Sequence, residues 1–116
     1  MNPQIFYYTN GQKYREEWFV NGMHHREDGP AYIEWHDNGQ KTYELWIVNG
    51  DYHRLDGPAE QTWYTNGEKN TEKWMINDID KTEEILQWIK EYNIQLDENS
   101  CIVKTNNKML FRLRWA

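Results

Sequence analysis

The chain has one cysteine, one serine and three prolines in 116 residues, and no run approaches the roughly 18 apolar residues that a membrane helix needs. A lone Cys101 excludes an intramolecular disulfide, and its setting in "SCIVK", where apolar residues alternate, reads as a buried reduced thiol that fits a cytosol. Ser100 is the only serine and sits in no Gly-x-Ser-x-Gly elbow, so the usual hydrolase nucleophile is missing. Glycine-rich phosphate loops of the GxGxxG or Walker type are also missing. Basic residues are in deficit, 13 against 19 acidic, and the net charge of −6 repels phosphate backbones and anionic lipid. The start "MNPQIFYYTNGQ" lacks a charged segment followed by an apolar one, so the expectation is a cytoplasmic chain with no leader and no membrane contact.

What is abundant is aromatic side chain. Seven Trp, eight Tyr and three Phe make 16% of a chain whose hydrophobic content is only 38% and whose mean hydropathy is −1.09. Disordered chains share the low hydropathy but are poor in aromatics, and here the aromatics recur at a fixed interval. "IFYYTNGQKYREEWFVNG" (5–22), "IEWHDNGQKTYELWIVNG" (33–50) and "QTWYTNGEKNTEKWMIND" (61–78) align without a gap at a period of 28. Tyr7, Trp35 and Trp63 are equivalent, as are Trp18, Trp46 and Trp74. "HREDGPA" (25–31) and "HRLDGPA" (53–59) join the units.

All seven glycines fall at repeat positions; the expected eighth, after Asn77, is Asp78. Asn-Gly and Asp-Gly between alternating apolar residues signal hairpins with type I′ turns. The expectation is a mainly β fold, a long antiparallel meander with strands near 4–9, 13–20, 23–27, 31–37, 41–48, 51–55, 59–65 and 69–76. "YYTNGQK…WFVNG" and "WHDNGQK…WIVNG" resemble the MORN-type repeat in its variant form over residues 4–78, and the "HRxDGPA" insert resembles a lengthened version found in phage and giant-virus proteins. The resemblance implies a β-hairpin scaffold used for protein contacts, with no catalytic residues. The setting it implies is a phage or viral accessory protein of the host cytoplasm; the acidic charge, the lack of catalytic chemistry and a patch centred on Tyr43, Leu45 and Ile47 add the expectation that it binds and inhibits a host or defence factor.

Strand alternation separates two faces. Residues that keep their type from unit to unit (Tyr7, Trp18, Val20, Ile33, Trp35, Trp46, Val48, Trp63, Trp74, Ile76) read as core. The opposite face changes between units. Its apolar members Phe6, Phe19, Tyr32, Tyr43, Leu45 and Ile47, with Glu34 on the rim, form the candidate partner-binding patch. Within the heptads, His25, His53, Asp28 and Asp56 are residue types that bind metals, but equivalent residues 28 positions apart do not converge on one point. A scaffold role covers every position. His25 and His53 pack against Trp18 and Trp46, Arg26 and Arg54 fall on the variable side, and Asp28-Gly29-Pro30 and Asp56-Gly57-Pro58 form turns. No catalytic residue, cofactor or metal is expected.

Beyond the repeat region (1–78), residues 79–116 read as a cap of the same compact domain. In "DIDKTEEILQWIKEYN", Asp80 and Glu83 fit a capping box, and Ile85, Trp88, Ile89 and Tyr92 recur at helical spacing, predicting a helix over 81–93. "CIVKTNNKMLFRLRW" reads as a final hairpin turning at Asn106-Asn107, with Lys104, Lys108, Arg112 and Arg114 making the one basic surface. The leading expectation is a non-enzymatic protein–protein interaction module. The alternatives are a self-associating structural protein, a homo-oligomer, and nucleic-acid contact through the basic hairpin.

Overall fold

Each unit's aromatic and β-branched residues form strands, but the chain leaves the sheet at the recurring tryptophan. The structure, a computed structural model, describes residues 2–116. Strands β1 (Gln4–Tyr7), β2 (Lys13–Glu17), β5 (Tyr32–Trp35), β6 (Lys41–Leu45), β9 (Glu60–Trp63) and β10 (Lys69–Lys73) build one antiparallel sheet in that order. Three two-stranded hairpins stand beside it: β3 (Phe19–Val20) with β4 (Met23–His24), β7 (Ile47–Val48) with β8 (Asp51–Tyr52), and β11 (Met75–Ile76) with β12 (Ile79–Asp80). The continuous strands expected over 13–20, 41–48 and 69–76 are therefore each broken, at Trp18, Trp46 and Trp74. The cause is backbone pairing: the Trp18 N–H donates to the Ala31 carbonyl of the next unit while its own carbonyl accepts from His25, and Trp46 repeats this with Ala59 and His53.

Two turn types alternate. In the short hairpins Asn49 (φ 51°) and Gly50 (φ 83°) are both left-handed, the type I′ geometry expected. Asn77 (φ 47°) and Asp78 (φ 69°) adopt it without glycine. The long hairpins differ from the expectation. Gly39 N–H donates to the His36 carbonyl, His36 N–H to Gln40, and only Gly39 has positive φ, which makes a three-residue loop with a type I turn. Asn38 stays right-handed because its side chain is committed: Oδ1 accepts from Gln40 N–H and Nδ2 donates to the Thr65 carbonyl of the next unit.

The helix expected over 81–93 is α1, Thr82–Glu91. The capping box does not form; the Asp80 carboxylate instead accepts from the Thr82 N–H and hydroxyl. The final hairpin is a correction: residues Thr105–Trp115 are a second helix, α2. Phe111 and Trp115 recur at i and i+4, and Phe111 is fully buried against Trp74, Trp88 and Trp115. The alternation of Arg112 and Arg114 with Phe111, Leu113 and Trp115 imitates a strand, but Leu113 is 82% exposed, because one helix face is enough to cover the last unit. Among the described residues, no helix is long and apolar enough to cross a membrane.

The apolar core sits at this end: Trp74, Ile76, Ile85, Ile94, Ile102 and Phe111 pack together with Leu55, Trp88 and Ile89. A smaller cluster of Ala31, Leu45 and Ile47 holds the first two units. If the C-terminal cluster carries the fold, Phe111→Ala, which empties a fully buried aromatic site, costs about 3–5 kcal/mol in urea unfolding, whereas Leu113→Ala stays within about 0.5 kcal/mol.

Candidate interaction surface

The repeated heptads resolve into a packing device. Arg26 lies over the Trp18 ring, 4.1 Å from its centroid, and Arg54 over Trp46 at 3.7 Å. His25 and His53 do lie across from these tryptophans, each donating its backbone N–H to the Trp carbonyl, but the expectation that Arg26 and Arg54 fall on the variable side is corrected. The guanidiniums take the rings, because each is tethered on its other side: Arg26 Nε to Asp28 at 2.9 Å and Nη1 to the Pro30 carbonyl, Arg54 Nε to Asp56 at 3.1 Å and Nη1 to Pro58. The histidines bridge units instead, His25 Nδ1 accepting from Asn49 N–H and His53 Nδ1 from Asn77 N–H. Gly29 and Gly57 have no positive φ; they are small because of close approach, since a Cβ there would lie 2.6 Å from Arg26 Cζ or 3.0 Å from both Arg54 Cζ and Cys101 Sγ.

Under the tryptophans runs a polar row that the sequence also repeats, as "KYREEW", "KTYELW" and "KNTEKW". Trp18 Nε1 donates to Glu16 and Trp46 Nε1 to Glu44, both at 3.0 Å, while Lys13, Lys41 and Lys69 each bond the glutamate three residues on. Lys13 and Lys41 also sit over Trp35 and Trp63 of the following unit. Burial pushes Glu16 and Glu72 up, but hydrogen bonds from Trp18 and Lys13, and from Lys69, Ser100 and Gln61, outweigh it and hold both below the ordinary carboxylate value. Of the residues assigned to the repeating face, Ile33 is buried as expected, but the aromatic positions form a partly wet ladder. Trp18, Trp35, Trp46 and Trp63 stay half-buried, Tyr7 is 56% exposed, and only Trp74 and Ile76 enter the C-terminal core. Unit spacing in "KxxExW" carries this signal, which periodicity of aromatics alone misses.

On the opposite face, Phe6, Arg15, Glu34, Tyr43, Thr62 and Thr71 form one row across the sheet, and Glu17, Tyr32, Leu45, Glu60 and Lys73 lie in the next. Phe6 lies under the Arg15 guanidinium at 4.4 Å, and Tyr32 meets Tyr43 edge-on. Tyr32 donates to Glu34, Tyr43 to Glu60, and burial followed by these carboxylates pushes both phenols up to about 12. Phe19 stacks on His24. Two members of the expected patch do not present themselves: Leu45 is 8% and Ile47 5% exposed, packed under Trp18, Tyr32, Tyr43 and Tyr52. They form the floor of the patch, and Tyr32, Glu34, Tyr43 and Leu45 enclose a shallow hollow of about 250 Å³.

The C-terminal segment crosses to the other side of the sheet, where the Asn99 carbonyl accepts from Gln61, Ser100 bonds Lys69, and Cys101 meets Arg54. Burial raises the Cys101 thiol despite that guanidinium. Three of the four basic residues, Lys104, Lys108 and Arg112, recur every four residues along one side of α2, and Arg112 lines a groove with Arg26 and Arg54; Arg114 lies apart, over Trp115 beside Trp88 and Tyr92. Comparison with protein-family models, with curated proteins and with solved structures found no match.

Burial lowers His53 from its ordinary value of 6.5 against the opposing charge of Asp51. The folded chain thus prefers neutral His53, so its contribution to stability is full above pH 6.5 and is lost as pH falls through its lowered value. Glu16 and Glu72 act with the same sign in a more acidic window, below 4.5. Urea unfolding followed from neutral to acid pH is expected to show two successive losses. His53→Asn, which keeps an acceptor for Asn77 N–H but does not titrate, is expected to remove the first and leave the second.

Proposed function

We propose that this chain is a non-enzymatic protein-binding module that engages a partner through the sheet face carrying Phe6, Tyr32, Glu34 and Tyr43, with Phe19 alongside. The single observation that carries this reading is the placement of the unrepeated residues. Within the array, what recurs every 28 residues is consumed in holding one unit to the next, whereas this face changes from unit to unit and lies opposite the segment 99–101. Its centre holds Tyr32 and Tyr43 around the Glu34 carboxylate, and Glu17 and Glu60 flank them, the arrangement of an interface core with a polar border. With a chain charge of −6, the complementary partner is a protein with a basic contact surface. The resemblance of the repeats to variant MORN repeats supports a contact scaffold in a viral setting, and on that reading the partner is a host or defence protein that binding inhibits.

Affinity capture from host lysate tests this with Phe6→Asp combined with Tyr43→Ala, and with Leu113→Asp on the helical cap as a control of equal polarity. Circular dichroism establishes that each variant folds. The expected outcome is a partner recovered by the wild type and by Leu113→Asp but lost, by tenfold or more (about 1.4 kcal/mol), from the double variant. Recovery by the double variant and loss from Leu113→Asp would transfer the site to the cap.

A further inference from the structure

The contacts that join one unit to the next are interrupted at the end of the third unit, and their other halves lie unused on the first. From unit to unit the turn asparagine donates forward, Asn10 Nδ2 to the Asp37 carbonyl at 3.0 Å and Asn38 Nδ2 to Thr65 at 3.4 Å. Tyr8 donates its hydroxyl to the Trp35 carbonyl at 2.7 Å. Lys13 and Lys41 reach forward over Trp35 and Trp63, at 5.7 and 5.8 Å. The third-unit equivalents are Asn66, Tyr64 and Lys69; Asn66 and Tyr64 are exposed, the latter by 54%. The equivalent receiving groups, 28 residues before Asp37 and Trp35, are the carbonyls of Thr9 and Tyr7 and the Tyr7 ring, which is 56% exposed.

The strands agree. β10 and β1 are the two outer strands of the six-stranded sheet. The existing unit junctions pair Glu16 with Ile33 and Glu17 with Tyr32, then Glu44 with Gln61 and Leu45 with Glu60. Continued by one period, the register sets Thr71 opposite Phe6, Glu72 opposite Ile5 and Lys73 opposite Gln4 of a second molecule. A glutamate facing an isoleucine already exists at the first junction. The cap limits the junction on one side only: Trp74 N–H donates to Thr82 Oγ1, where Trp18 and Trp46 reach the Ala31 and Ala59 carbonyls of the following unit. The four residues Gln4–Tyr7 and their turn remain available to pair.

We infer that the chain assembles head to tail with further copies of itself, the β10 donor edge of one molecule pairing with the β1 receiving edge of the next. The junction reproduces the one between units, and because donor and acceptor edges differ, the contact is heterologous and does not close at a dimer. Elongation in the plane of the sheet leaves the variable face free and repeats it along the assembly.

Sedimentation velocity and light scattering, from micromolar to millimolar chain, are expected to show a weight-average mass that rises past the dimer. Asn66→Asp with Tyr64→Phe keeps the Oδ1 acceptor that holds Glu68 N–H but removes both forward donors. Tyr7→Lys, on the receiving β1 edge, sets an ammonium against Lys69 of the β10 donor edge. Each variant alone is expected to stay monomeric with an unchanged melting profile. Mixed, the donor-edge and receiving-edge variants retain one intact junction between them and are expected to stop at a 1:1 dimer. A wild-type chain that is monomeric throughout, a wild-type dimer that does not grow, or variants that assemble like the wild type would each overturn the inference. None of these outcomes bears on binding through the variable face, which its own substitutions report.

Discussion

The structure depends on one recurring contact: an arginine held flat over a tryptophan whose indole N–H is fixed by a glutamate from below. In units one and two the pairs are Arg26 on Trp18 and Arg54 on Trp46, with Glu16 and Glu44 beneath. A cation over an indole contributes about 0.5–2 kcal/mol, the upper part of that range when partly desolvated. Its larger effect is geometric. The guanidinium also binds the aspartate and the carbonyl of its own heptad, so the loop that leads to the next long strand is clamped to the strand just completed. Removing the ring would release the loop, and removing the arginine would leave the carboxylate row short of a positive neighbour.

This device explains how a chain of such low hydropathy folds. In a slab 22 Å thick there is little room for a layered oily core, and the first two units rely on a smaller cluster, cross-unit hydrogen bonds and charge ladders. The third unit cannot use the device, since position 82, equivalent to Arg26 and Arg54, is a threonine. There the cap substitutes: Thr82 accepts from Trp74 N–H, and Phe111 takes the neighbourhood of the ring. The array therefore changes from polar clamping to apolar packing at its C-terminal end, and Cys101, 3.0 Å from Arg54 Nη2, lies where the two regimes meet.

The period of 28 made much of the fold legible, because the repeat acts as its own alignment: strands and hairpins follow from it, but not one meander through 23–27 and 51–55, since those segments leave the sheet and β2 pairs directly with β5 and β6 with β9. What escaped was set by contacts that pattern does not encode. Alternation places His53 across from Trp46 but cannot tell that Arg54, with three further groups to bind, reaches the ring first. The tail misread as a hairpin has a two-residue alternation of charge and apolarity, and only its partner, a tryptophan with no arginine above it, makes a helix the better cover. Leu45 and Ile47 look presented by alternation and are buried because the short hairpin folds over them with Tyr52.

Recurrence and function pull in opposite directions along this sequence. A histidine, an arginine and an aspartate that return together first suggest chemistry, yet each is spoken for: the histidine by a backbone N–H of the next unit, the arginine by a ring and a carboxylate, the aspartate by that arginine. Positions that must solve the same packing problem in every unit have no freedom left for a partner. Freedom remains where units differ, on the face of Phe6, Tyr32 and Tyr43, and where the array ends, at edges whose matching halves belong to another copy of the same repeat.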